Sequence, residues 1–244
     1  MAARGSTDLN SLRKIKPFVD AMRRYHRHEV HGLERVPATG GCLLVVNRSL
    51  APYDVFLLLS AIYDHNGRVA RPLIDRELYR LPGLGPLLET FGGVEEREDK
   101  AEALLAAGEL VCVAPGGMRE ALRPSTEKYR VYWHHRLGFT RLALQLQTPV
   151  VLGICPAADD IYHVYANFLT PLLYDTLRLP LPIARGIGMT FLPRPVRLTH
   201  FLSRPLKPSP APTTDEEMAR AARVFHTRLI QAASSLMSGI DPLE

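Results

Sequence analysis

Gly41-Cys42-Leu43-Leu44-Val45-Val46-Asn47-Arg48-Ser49-Leu50-Ala51-Pro52-Tyr53-Asp54 is the stretch that decides the fold. Its first six residues follow the turn-like Pro37-Ala38-Thr39-Gly40 and read as a short buried strand. Asp54 to Tyr63 then reads as a helix, so the polar residues between them leave a strand and enter a helix. Open α/β sheets bind ligands at such C-terminal strand edges.

The same alternation continues outward. Arg71 to Ile74 is strand-like, and Leu81-Pro82-Gly83-Leu84-Gly85-Pro86 is a turn-rich connector. Lys100 to Ala107 reads as a helix stopped by Gly108, and Leu110 to Ala114 as a second buried strand. Gly138 to Gln147 is a further helix and Pro149 to Ile154 a further strand. Strands alternating with helices predict an α/β architecture, a largely parallel sheet flanked by helices. From Leu179 to Pro212 the prolines are dense and the spacing predicts a loop-rich excursion. Thr214-Asp215-Glu216-Glu217 is a capping box opening a last helix to about Met237.

Upstream, Leu9, Leu12, Ile15, Val19 and Met22 recur at helical spacing, with Arg13, Lys14, Lys16, Arg23, Arg24 and Arg27 mostly on other faces. This predicts an N-terminal basic amphipathic helix. It either docks on an anionic membrane surface or lays its stripe on the core. The expected division is residues 1–30 as this helical segment and 31–244 as one α/β domain.

The bulk numbers suit a globular chain: 46% hydrophobic and 23% charged residues, with a net charge of +5. No apolar run approaches the roughly 20 residues that span a bilayer. Val55–Tyr63 and Val150–Ala158 are too short and read as core. Polar residues from Arg4 to Asn10 stand where a signal peptide would turn apolar, so none is expected. Cys42, Cys112 and Cys155 each sit in apolar stretches without metal spacing and read as buried free thiols. The chain shows no nucleotide-binding glycine fingerprint and no serine-nucleophile elbow. Its basic stretches lack interleaved aromatics, so no nucleic acid is expected as a partner.

A second segment carries chemistry: Ala114-Pro115-Gly116-Gly117-Met118-Arg119-Glu120-Ala121-Leu122. Two glycines between a strand and a helix allow close backbone approach to an anion, and Arg119 adds a guanidinium clamp. His134 and His135 are adjacent and make poor co-ligands, and Asp159-Asp160 is a weak cation signal.

Taken together, Asn47 to Asp54 and Pro115 to Leu122 resemble the first and third motifs of the glycerolipid acyltransferase superfamily. The match is to a diverged branch related to diacylglycerol-forming and transmembrane-protein-type acyltransferases. Phe91-Gly92-Gly93-Val94 falls loosely at the second motif and Thr148-Pro149-Val150-Val151 resembles the fourth. Tyr129 to Trp133 and Gly138-Phe139 look like the tail after the third motif. The likeness covers about residues 30 to 208. It implies transfer of an acyl group from acyl-CoA or an acyl-carrier protein to a glycerolipid hydroxyl, by a protein peripheral to the cytoplasmic face of a membrane. No metal or further cofactor is implied, and the oligomeric state is left open.

In that family a His removes the proton from the acceptor hydroxyl and an Asp orients it. Asp54 matches the Asp, but Arg48 stands at the His position. A guanidinium has no acceptor lone pair and stays charged. General-base catalysis is typically worth about 10²–10⁴-fold, so a slow enzyme or an inactive lipid-binding relative is expected. Arg48 and Asp54 are the catalytic-position residues, with a direct Arg48–Asp54 ion pair anticipated. Asn47, Gly116, Gly117, Arg119 and Glu120 are the expected substrate-binding residues, and no metal ligands are assigned.

Overall fold

The computed structural model describes residues 9–76, 88–89, 92–165 and 183–239. The expected connector Leu81–Pro86 lies outside these residues, as do Phe91 and Leu179 to Pro182.

The deciding stretch forms β2 (Cys42–Val46), every residue buried, and α2 (Tyr53–Asn66). Alternate β2 side chains point to opposite faces, and both faces are covered. Leu43 and Val45 belong to one core cluster, Cys42, Leu44 and Val46 to another. Burial on both faces is what makes a strand continuously apolar and a sheet parallel.

The other elements are α1 (Leu9–Tyr25), β1 (Glu29–His31), β3 (Ala70–Ile74), β4 (Val94–Glu95), α3 (Glu98–Ala106), β5 (Leu110–Val113), α4 (Gly117–Ala121), α5 (Gly138–Gln145), β6 (Val150–Ile154), β7 (His163–Val164), β8 (Ala184–Arg185), β9 (Thr199–Leu202) and α6 (Asp215–Met237). The main sheet runs β1-β9-β6-β2-β5-β3-β4. Every neighbouring pair is parallel except β6–β9. β7 and β8 form a separate two-stranded antiparallel ladder.

One face of the sheet is covered by α5 and α6, whose Phe139, Leu142, Phe225 and Leu229 pack on Leu43, Val45 and Leu152. The other is covered by α2 through Val55, Leu58, Leu59 and Ile62. The Thr214–Glu217 capping box is made: Glu217 N–H donates to Thr214 Oγ1 at 3.2 Å, and Thr214 N–H to Glu217 Oε2 at 3.3 Å. The three cysteines are free and buried.

Two expectations change. The stretch read as a loop-rich excursion contains β9, whose Thr-His-Phe-Leu alternates half-buried and buried residues. Its prolines flank this strand and do not interrupt it, so the ladder survives. The boundary placed after residue 30 falls inside β1, which pairs with β9 from Glu29 to His31. In α1, Ile15, Val19 and Met22 pack with Leu57, Cys155 and Leu198. Lys16 and Arg23 reach Asp64 of α2 at 3.1 and 2.9 Å. The described part of the stripe therefore lies on the domain. No helix among the described residues is long and apolar enough to cross a membrane.

Candidate active site

The parallel strands β2, β3, β5 and β6 all end at one edge of the sheet, and the two signature segments are the loops that leave β2 and β5 there. Asn47 is the first residue past β2. Its Nδ2 donates to the Cys155 carbonyl at 2.9 Å, and its Oδ1 accepts the Cys155 N–H at 2.8 Å. Both amide atoms of this buried side chain are engaged with the backbone after β6. Asn47, expected to bind substrate, here ties the ends of two neighbouring strands together.

Asp54 sits in the first turn of α2 and is fully buried. The Ser49 hydroxyl lies 2.7 Å from its Oδ1 and 2.8 Å from the Ala51 carbonyl oxygen. Ser49 has one proton for two acceptors. The conflict is resolved if Asp54 is itself protonated and donates to Ser49 Oγ, leaving the serine proton for Ala51. Burial favours that state: it pushes the Asp54 carboxyl up to about 6, against the opposing pull of the Ser49 hydroxyl and the Arg48 charge. Asp54 Oδ2 is buried without a hydrogen-bond partner.

The anticipated Arg48–Asp54 ion pair is not formed. Ser49 takes the near carboxylate oxygen, and the Arg48 guanidinium extends toward Met118, with Nη2 3.5 Å from its Sδ. Arg48 acts on Asp54, and on Glu120, through space, its charge pulling both carboxyls toward lower pKa without a hydrogen bond or ion pair to either.

The turn after β5 is also filled differently from the expected anion cradle. A side chain at Gly116 would come within 2.5–2.6 Å of Glu120 Cβ and Cδ. The Glu120 side chain thus occupies the room that the glycine leaves. Gly117, the first residue of α4, has φ +55°, a left-handed conformation that favours glycine. Arg119 is exposed on α4, while Glu120 is buried.

Glu120 Oε1 accepts the Tyr132 N–H at 3.4 Å and lies 3.6 Å from Arg123 Nη1, while Oε2 is buried without a hydrogen-bond partner. Burial pushes this carboxyl up to about 7, with Arg123 the main opposing influence. Arg123 in turn clasps both oxygens of Asp159 and donates to the Arg130 carbonyl at 2.6 Å. Asp160 is held by Lys128 at 2.7 Å and Tyr129 at 2.8 Å. The two aspartates are therefore spent on side-chain partners. Among the described residues no three His, Cys, Asp or Glu side chains gather as a metal site.

Ser49 and Arg123 are the residues that sequence reading missed. Ser49 stood inside the first signature segment, and Arg123 lies one residue past the second, three from Glu120, a spacing that faces it on a helix. His134 and His135 are exposed.

Two cavities open at this edge. One, of ≈ 20 Å³, is lined by Ser49, Glu120, Arg123, Asp159 and Tyr162 among others, has mixed polar and apolar walls, and is large enough for one water. The other, of ≈ 110 Å³, is mostly apolar. Phe56, Leu73, Leu88, Cys112 and Ala114 line it, and Arg48 stands among them.

The sequence profile of the family named Acyltransferase matches residues 27–153, which hold both signature loops and the strands that carry them. The chain belongs to the acyltransferase family. A human protein described as a "DGAT1/2-independent enzyme synthesizing storage lipids" is 30% identical over 194 residues, 79% of this chain and 57% of that protein. An uncharacterised Mycobacterium leprae protein is 30% identical over 193 residues, 75% of this chain and 53% of that one. The chain thus spans little more than half the length of these relatives. The solved 1-acyl-sn-glycerophosphate acyltransferase of Thermotoga maritima superposes with a TM-score of 0.52 at 19% identity, covering 90% of this chain and 78% of that one. That likeness is one of fold: an acyltransferase-type α/β sheet flanked by helices.

Proposed function

We propose that this acyltransferase-family chain moves a fatty acyl group from an acyl thioester, acyl-CoA or acyl-carrier protein, to a glycerolipid hydroxyl at a membrane surface. The observation that carries the reading is the convergence at one sheet edge of Arg48, Asp54 and the Gly116–Glu120 turn beside an apolar cavity of ≈ 110 Å³. An acyl thioester needs just such a neighbour for its methylenes, and the acceptor oxygen needs a group that takes its proton. No metal or further cofactor enters this reading.

Arg48 sets the rate. It stands where the family's base would be and cannot take a proton, so the wild-type chain is slow. In this reading Asp54, matching the family's orienting carboxylate, turns toward an imidazole introduced at position 48. With labelled acyl-CoA and mixed lysophospholipid, monoacylglycerol and diacylglycerol acceptors, Arg48→His should raise turnover by up to about 10²–10⁴-fold. Asp54→Ala in that background should remove the gain. Robust wild-type turnover that drops on Arg48→His would overturn this account of the base. A second reading, a relative that binds lipid or acyl thioester without turnover, is favoured by the same Arg48. It is distinguished by retained binding with no rate in either variant.

A further inference from the structure

Half of the ten large apolar side chains exposed among the described residues fall in one ten-residue stretch: Ile183, Ile187, Met189, Phe191 and Leu192. Met189, Phe191 and Leu192 are 85%, 69% and 63% exposed. Scattered surface hydrophobics need no explanation, but a projecting cluster of them does.

The stretch is a built tip. Gly186 N–H donates to the Thr190 carbonyl at 2.6 Å, Ile187 N–H to Leu192 at 2.8 Å and Thr190 N–H to Ile187 at 3.1 Å. Thr190 Oγ1 accepts the Leu192 N–H at 3.2 Å and donates to the Ile187 carbonyl at 2.8 Å. A Cβ at Gly186 would collide with the Leu192 carbonyl, so only glycine closes the turn this way. Many of the tip's polar backbone groups are paired within the tip, which lowers the cost of taking it out of water.

The tip is also braced. Tyr25 Oη donates to the Pro193 carbonyl at 2.6 Å, Tyr162 Oη to Phe191 at 3.3 Å, and Arg194 N–H to Ile161 at 3.1 Å. Its base is cationic. From Ile183 to Arg197 the chain has Arg185, Arg194 and Arg197 and no acidic residue. Arg197 is engaged by Glu29, and Arg194 is half-buried, its Nε and Nη2 closed off from solvent without a hydrogen-bond partner. An apolar tip above a base that carries three guanidiniums and no carboxylate of its own matches the depth profile of an anionic phospholipid leaflet, acyl chains beyond phosphates.

We propose that residues 183–194 insert into an anionic glycerophospholipid bilayer, with Met189, Phe191 and Leu192 among the acyl chains and the cationic base of the tip against the lipid phosphates. Tyr162 joins this tip to the site, since its hydroxyl holds the tip and its ring lines the cavity shared by Ser49 and Glu120. The membrane would thus lie at the mouth of the active site, an arrangement that deepens the reading of a glycerolipid acceptor and rests on it only for its purpose.

The test uses the full chain and vesicles of phosphatidylcholine with or without phosphatidylglycerol, and no acyl donor, so a chain without turnover still answers it. Phe191→Trp should blue-shift its emission on vesicles and be quenched by lipids brominated in the acyl chain. Met189→Ser/Phe191→Ser/Leu192→Ser should weaken sedimentation with vesicles at least about tenfold, from the lost apolar burial. Arg185→Gln/Arg194→Gln should weaken binding only where phosphatidylglycerol is present. Unchanged thermal unfolding of the triple variant would assign the loss to the surface. Three results would overturn the proposal: no vesicle binding by the wild type, undiminished binding by a folded triple variant, or a wild-type dimer that the triple substitution separates without vesicle binding.

Discussion

Asp54→Asn should stabilise the protein, and by an amount that grows with pH. The carboxyl lies at about 6 in the folded chain against an ordinary 3.8, because its burial disfavours the charged form. The folded state therefore holds the proton longer than the unfolded state. Linkage then requires stability to fall as pH rises from about 4 through 6 and to level off above. The difference of about two in pKa, at about 1.4 kcal/mol for each, makes the penalty about 3 kcal/mol at pH 8. At pH 5 only about half of it is present. Asparagine keeps the geometry: its amide can donate to Ser49 Oγ while the Ser49 proton goes to Ala51, the pattern inferred for protonated Asp54. Urea unfolding followed through Trp133, the only tryptophan and fully buried, gives the measurement. The variant should gain on the order of 1 kcal/mol more over wild type at pH 8 than at pH 5. Taking the difference cancels the buried histidines, including His28 and His200, whose acidities burial also shifts. A gain that is absent, or the same at both pH values, would refute the reasoning and mean that Arg48 and Ser49 already compensate the buried charge.

Asn47→Leu strands the buried N–H of Cys155, whose carbonyl keeps the Ala158 N–H, and should cost about 1–3 kcal/mol in the same unfolding assay. Gly116→Ala should cost about 1–3 kcal/mol by overpacking against Glu120. Adding Glu120→Ala should return at least about 1 kcal/mol of that, and strict additivity would mean the two side chains do not compete for the same space. Arg119→Ala, on an exposed position, should change stability by less than about 0.5 kcal/mol while weakening acyl-CoA or lysophospholipid binding in a direct titration. Unfolding without a binding change per folded molecule would make Arg119 structural.

The central sheet was legible because β2, β5 and β6 are apolar throughout, and the signature loops follow them directly. The edge strands were not. β1 has three residues and β4 two, so neither offers a period to read. β9 hides among prolines, and what makes it a strand is a partner, β1, some 170 positions away. The site was legible at the level of which loops meet, but not of what each polar atom does there. A sequence places Asn47 beside Asp54. It does not say that the Asn47 amide is turned onto Cys155, that Ser49 and not Arg48 bonds Asp54, or that Glu120 folds back over Gly116. Those assignments depend on side-chain packing between strands distant in sequence.

The pairing of β1 with β9 also orders events during synthesis. His26, just before β1, bonds to the Val196 carbonyl across 170 positions. Ribosomes add about 5–20 residues per second, so the N-terminal segment waits roughly ten to thirty seconds for its partner strand. Through most of that interval Ile15, Val19 and Met22 lack Cys155, and to its end they lack Leu198, both members of their cluster in the finished fold. A nascent chain in that state displays a basic helix with an uncovered apolar stripe, open to whichever arrives first: the growing domain, a chaperone or a lipid surface.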